Sequence, residues 1–296
     1  MVGLLFRKIA TEGLLVLLLI VAGFSTAIYG FGVSNNFTRN FARSIPLPAA
    51  KVGADFVLLW KVDALADAYQ HAVNSISNPA PADLSGSRKS ILDKLIRDTV
   101  VTAQLKQRKA LPPQSEIDEY YVFLLVKFGV PREQAGQEIR RRFGLSEIDF
   151  KNLIVWPDYA EKKLAQHLNA EASDSREYQR AAKIKELLDS GEDFAKTAAV
   201  YSEDEDSRHI GGDLGFMQLE GLDPWLKAAV EKINVGQTSD VVAGPDGYHI
   251  LKIANKDEES QPARFQVRHI LVKGADIEQY IDGQIPKYRI YTFGKF

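Results

Sequence analysis

The chain has 296 residues, enough for two domains with an anchor or linker, and its 37 basic and 39 acidic side chains leave a net charge of −2. That near-neutral balance, without a basic stripe, excludes an electrostatic nucleic-acid binder. Cysteine is absent, which excludes disulfides, thiolate metal sites and a cysteine nucleophile.

Residues Gly13 to Val33 carry no charge and follow Arg7 and Lys8. About 20 apolar residues suffice to cross a bilayer core, so 13–33 is expected to be a transmembrane anchor. Residues 1–12 are then cytoplasmic and the rest of the chain faces outward, although Arg39 and Arg43 weaken the charge asymmetry. A signal peptide cleaved near Ser25-Thr26-Ala27 is the alternative. Residues 34–48, with Asn, Ser and two prolines, read as a linker.

Residues 49–170 are expected to form an all-α domain. Ala49 to Trp60 opens it with a short strand and a turn at Gly53-Ala54-Asp55. Helical patterns follow over Ile91–Arg108, with Leu92, Leu95, Ile96, Val100, Ala103 and Leu105 on one stripe, from Ser115, and from Pro157 to Asn169. No nucleophile, metal cluster or phosphate loop is visible there. The spacing suits an apolar surface or groove.

After Glu171 the pattern changes. Ser175–Ser190 reads as a helix stopped by Gly191, and Phe194–Val200 as a second. An acidic loop and Gly211-Gly212-Asp213-Leu214-Gly215 lead to a helix over Asp223–Ile233. Val241–Ala243 and Tyr248–Ile253 pair around the turn Gly244-Pro245-Asp246-Gly247. Two strands each carry one histidine. His249 shares a face with Leu251 and Ile253, and His269 shares one with Phe265, Val267 and Leu271, so both imidazoles point inward and need hydrogen-bond partners. His209 stands in the loop and is expected to be exposed.

Gly191-Glu192-Asp193-Phe194-Ala195, Tyr201-Ser202-Glu203-Asp204, Gly211 to Gly215 and Gly247-Tyr248-His249-Ile250 resemble, in order and spacing, the parvulin family of peptidyl-prolyl cis/trans isomerases. The resemblance covers about a quarter of the chain. The helical region more loosely resembles the N-terminal domain of SurA-type and PrsA-type chaperones. Parvulins open with an Arg-His-Ile-Leu strand, and here Arg268-His269-Ile270-Leu271 comes after the module instead. A second domain starting there has only 23 residues left after Lys273, too few for a core. The expectation is circular permutation: 264–273 supplies the first strand, and the helix Asp276–Gly283 and strand Lys287–Phe293 close a domain of 171–296. The fold class is α+β with a small antiparallel sheet.

By this resemblance His249 and His269 are the paired inner histidines, bonded to each other or through a neighbour, and Asp204 is the third catalytic residue. Leu214, Met217, Trp225 and Leu222 line the proline pocket. Trp225 stands where the family usually has Phe, and Gly221 or Leu222 where it often has Met. The basic loop of phosphate-reading members has no counterpart. The resemblance implies no cofactor and no metal, and unfolded or proline-containing polypeptides as clients. A holdase that binds extended peptide without isomerising it is the alternative.

Overall fold

The computed structural model describes residues 21–30, 36–75 and 85–294. The expected cytoplasmic N-terminus 1–12 and most of the anchor 13–33 lie outside them. No helix among the described residues is long and apolar enough to cross a membrane. In chain order the elements are α1 (Asn36–Ser44), β1 (Pro48–Val52), β2 (Asp55–Leu58), α2 (Leu59–Asn74), α3 (Ser85–Gln107), α4 (Gln114–Lys127), α5 (Ala135–Phe143) and α6 (Glu147–Phe150). They continue with α7 (Trp156–Glu171), α8 (Arg176–Asp189), α9 (Phe194–Tyr201), β3 (Asp213–Met217), α10 (Pro224–Val230), β4 (Val242–Ala243), β5 (Gly247–Asp257), β6 (Arg264–Lys273), α11 (Ile277–Gln284) and β7 (Ile290–Thr292).

The chain divides into two compact units. Among the described residues, those within 1–100, 142–144 and 285–296 form one and those within 101–141 and 145–284 the other. In the first, β1 lies between β2 and β7 in a three-stranded antiparallel sheet. Two expectations change here. The region 49–170 is not all helical, because the turn at Gly53 returns the chain as a second strand whose Val57 is buried. The C-terminal strand pairs with β1, Lys51 opposite Tyr291, rather than closing the expected domain of 171–296. The linker 34–48 also contains α1. Its polar composition hides a buried stripe of Thr38 and Ala42.

The second unit is built on a four-stranded antiparallel sheet in the order β3-β6-β5-β4. Strands β5 and β6 form a long hairpin, Gly247 opposite Lys273 at one end and Asp257 opposite Arg264 at the other. Because side chains alternate, the hairpin has two apolar faces. Tyr248, Ile250, Ile270 and Val272 pack on Ala181 and Ile184 of α8 and on Phe194 and Ala198 of α9. Leu251, Ile253 and Val267 face Leu226 and Val230 of α10. The helices begin where local chemistry tells them to. Ser175 accepts from the Tyr178 amide and Asp193 from the Lys196 amide, each satisfying an orphan donor of the first turn.

Helices α4, α6 and α7 and most of α5 belong to this same unit, so compaction does not divide the chain at residue 170. Tyr120 of α4 packs on Tyr159 of α7 with ring centroids 5.0 Å apart and donates its hydroxyl to Asp158. Lys227 of α10 pairs with Glu119 of α4 at 3.0 Å. The Lys227–Glu119 pair ties α4 to the helix that covers the four-stranded sheet.

Candidate active site

The loop after α9 is stitched to the middle of β6. The Leu271 amide donates to Ser202 Oγ at 3.1 Å, the Glu203 amide to the Leu271 carbonyl at 2.8 Å, and the Lys273 amide to Glu203 Oε2 at 2.7 Å. Farther along, the His269 amide donates to the Gly212 carbonyl at 2.8 Å. Glycine is required at that approach: φ is +73°, and a Cβ would lie 2.1 Å from the His269 oxygen. The acidic loop is thereby brought over the histidine of β6.

His249 and His269 lie on the α10 face of the hairpin, 3% and 7% exposed. Their rings stack with centroids 5.8 Å apart and planes 24° from parallel. The expected direct or neighbour-bridged bond between them is replaced by separate wiring. Nε2 of His269 lies 2.9 Å from Asp204 Oδ2 and 3.1 Å from Ser207 Oγ, and Ser207 donates its hydroxyl to the same carboxylate. Nε2 of His249 lies 2.9 Å from Asp246 Oδ1. Among the described residues neither Nδ1 has a protein partner.

Burial is the largest influence on Asp204 and pushes its carboxyl up. Hydrogen bonds from Ser207 and His269 together outweigh it and hold the group below the usual carboxylate range. Burial likewise dominates at His269, lowering it, with His249 adding to that and Asp204 opposing. Below its ordinary value of about 6.5, residue 269 takes up a proton in the unfolded chain before it does in the folded one. Stability contributed by the neutral ring is therefore complete above that pH and lost as pH falls toward the lowered value. The melting temperature of the second unit is expected to decline from pH 7.5 to 5.5, and His269→Gln to make that decline shallower. An equally steep decline in the variant would refute the assignment.

Leu214, Met217 and Trp225, all half-buried, and the buried Leu222 join the same apolar cluster as Leu226, Leu251 and Val267. Asp213 sets the first of them by accepting from Gln266 Nε2 at 2.6 Å across β3 and β6. Leu222 is only 3% exposed and floors the patch rather than lining its rim. Trp225 also stacks toward Tyr120 of α4, centroids 6.4 Å apart. All seven residues singled out from the sequence thus gather on one face of the sheet or its covering loops. His209 is exposed, as expected.

Sequence reasoning missed Ser207 and Asp246. Ser207 follows Asp204 at a spacing of three, the spacing of a carboxylate that folds back on its own loop. Asp246 precedes His249 by three across a tight turn, a weak signal beside the many exposed acids. Asp223, at the N-cap of α10, lies near enough to Asp246 and His249 to feel both. Burial raises its carboxyl, with Asp246 adding to that and Lys127, His249 and Lys162 opposing. Among the described residues no group of three or more histidines and carboxylates is placed to hold a metal.

The second unit thus presents a small antiparallel sheet covered by helices on both faces, with two inward histidines beside an apolar patch. The family model for Rotamase, the PPIC-type PPIASE domain, matches residues 162–255. The match includes His249 and ends before β6, the strand that carries His269. The chain is 28% identical to the foldase protein PrsA 2 of Bacillus anthracis over 57% of this chain and 61% of that protein. It is 29% identical to a Geobacillus foldase protein PrsA over 56% and 59%. Identity to the chaperone SurA of Methylobacillus flagellatus is 30%, over 64% of this chain and 40% of that one. The chain therefore spans about three fifths of the length of the first curated relatives it matches. A crystal structure of the peptidylprolyl isomerase PrsA from Bacillus anthracis is 23% identical, with a TM-score of 0.24 over 67% of this chain and 86% of that one, too low to bear on the fold.

Proposed function

We propose that this chain is a foldase that accelerates cis/trans isomerisation of X-Pro bonds in unfolded or secreted polypeptides. The stacked pair His249 and His269, each held by a carboxylate beside Leu214, Met217 and Trp225, carries this reading. Rotation about an X-Pro bond faces a barrier of about 18–20 kcal/mol, set by amide conjugation. No covalent bond need break. The site has only to favour the twisted amide over both planar forms. The apolar patch seats the proline ring, and the imidazoles with Asp204 form a fixed polar frame around the peptide group. A chain without cysteine performs this without a thiolate.

The module is read as circularly permuted, its first strand supplied last. The central place of β6 in the sheet and the family match ending at residue 255 support this. The uncharged run 13–33 behind Arg7 and Lys8 supports a single-pass anchor with the folded units outside the cell membrane. A tetrapeptide containing one X-Pro bond tests the activity: catalytic amounts of the chain are expected to speed the cis-to-trans phase. An unchanged rate beside suppressed aggregation of an unfolded client would overturn the enzyme in favour of a holdase.

A further inference from the structure

Asp246 sits in the turn between β4 and β5, closed by the Gly244 amide donating to the Gly247 carbonyl at 2.7 Å. That turn is held from two sides. Asn169, 2% exposed near the end of α7, donates through Nδ2 to the Gly244 carbonyl at 2.9 Å and accepts from the Ala275 amide at 3.2 Å. The Gly274 amide donates to the carbonyl of Asp246 itself at 3.0 Å. Gly244 lies directly on the imidazole, since a Cβ there would come within 2.7 Å of His249 Nε2. The backbone under Asp246 is thus fixed, although its side chain is 55% exposed.

The chemistry of the contact follows from the charge of the acid. Burial pushes Asp246 up, but the hydrogen bond from His249 and the charge of that ring hold it below the usual carboxylate range. An ionised carboxylate only accepts, so the proton between Oδ1 and Nε2 belongs to His249. The same reasoning gives His269 an Nε2–H shared between Asp204 and Ser207. When either ring carries a single proton, Nδ1 is then a bare acceptor, buried and without a protein partner among the described residues.

We propose that Asp246 is a positioning residue: its carboxylate fixes the Nε2–H tautomer and ring plane of His249, as Asp204 does for His269. The two imidazoles are then clamped from opposite carboxylates in one matched state. As a role in catalysis this rests on the isomerase reading; as a statement about the ring it does not. Long-range 15N–1H correlation spectra of the full chain near neutral pH test it. Both histidines are expected to carry the proton on Nε2 alone. Asp246→Ala should turn His249 into a tautomer mixture and lower kcat/KM on an X-Pro tetrapeptide about tenfold, with the melting temperature nearly unchanged. Asp246→Asn keeps an acceptor oxygen at the same place and should restore both the tautomer and most of the rate. A proton on Nδ1 of His249 in the wild type, or an Asp246→Ala variant with unaltered tautomer and rate, would overturn the proposal. A wild type without isomerase activity, but with His249 responding to Asp246→Ala, would sink the isomerase reading while upholding the clamp.

Discussion

Ending the chain at Asn255 is expected to unfold the whole module built on the four-stranded sheet, not to trim a tail from it. The deletion removes β6, the strand that pairs with both β3 and β5. Val267, Ile270, Leu271 and Val272 are all buried, and each contributes about 1.5–3 kcal/mol by leaving water. Together they rival the whole stability of a typical domain, about 5–15 kcal/mol. Their partners Tyr248, Ile250, Leu251 and Ile253 would be bared on both faces of β5. The Ser202–Asp204 loop would also lose the strand that holds it. Circular dichroism and amide chemical-shift dispersion of the second unit read the outcome. A truncated chain that melts cooperatively with dispersed amides would show that β6 is an appendage.

Replacing His269 by alanine is expected to lower kcat/KM on an X-Pro tetrapeptide about a hundredfold, the scale typical of losing one preorganised polar group from a catalytic site. The fold should survive, since β6 keeps its ladder and only one imidazole is lost. The carboxylate of Asp204 retains Ser207 as a donor at backbone and side chain, so it stays satisfied. The melting temperature should drop by a few degrees while the spectrum stays native. Full activity in that variant would leave His269 a core residue and nothing more.

Much of the second unit was legible because its signals are local. Alternation in Tyr248–Ile253 and Val267–Val272 declares two-faced strands, and the histidines fall on the face shared with Leu251 and Val267 for that reason alone. Ser175 and Asp193 announce helix starts through bonds three residues long. What escaped depends on distant partners. Ile290–Thr292 is a three-residue strand whose partner β1 lies near the other end of the chain, and nothing in its neighbours says which sheet it joins. The membership of α4 and α7 rests on Tyr120, Tyr159 and Lys227, aromatic and charged groups that look equally at home on a separate domain. Asp246 hid for a different reason. It is exposed, and only the Asn169-pinned turn makes it a partner of a buried ring. The two histidine strands are thus adjacent and antiparallel, but their imidazoles are wired to separate acids.

A double-mutant cycle on that pair is the most direct measurement of the account. The rate of X-Pro isomerisation would be compared for the wild type, His249→Ala, His269→Ala and the double variant. If the stacked rings work as one unit, the double variant should lose scarcely more than the worse single one. Losses that multiply would mean that His249 and His269 act independently, and the paired site would be contradicted.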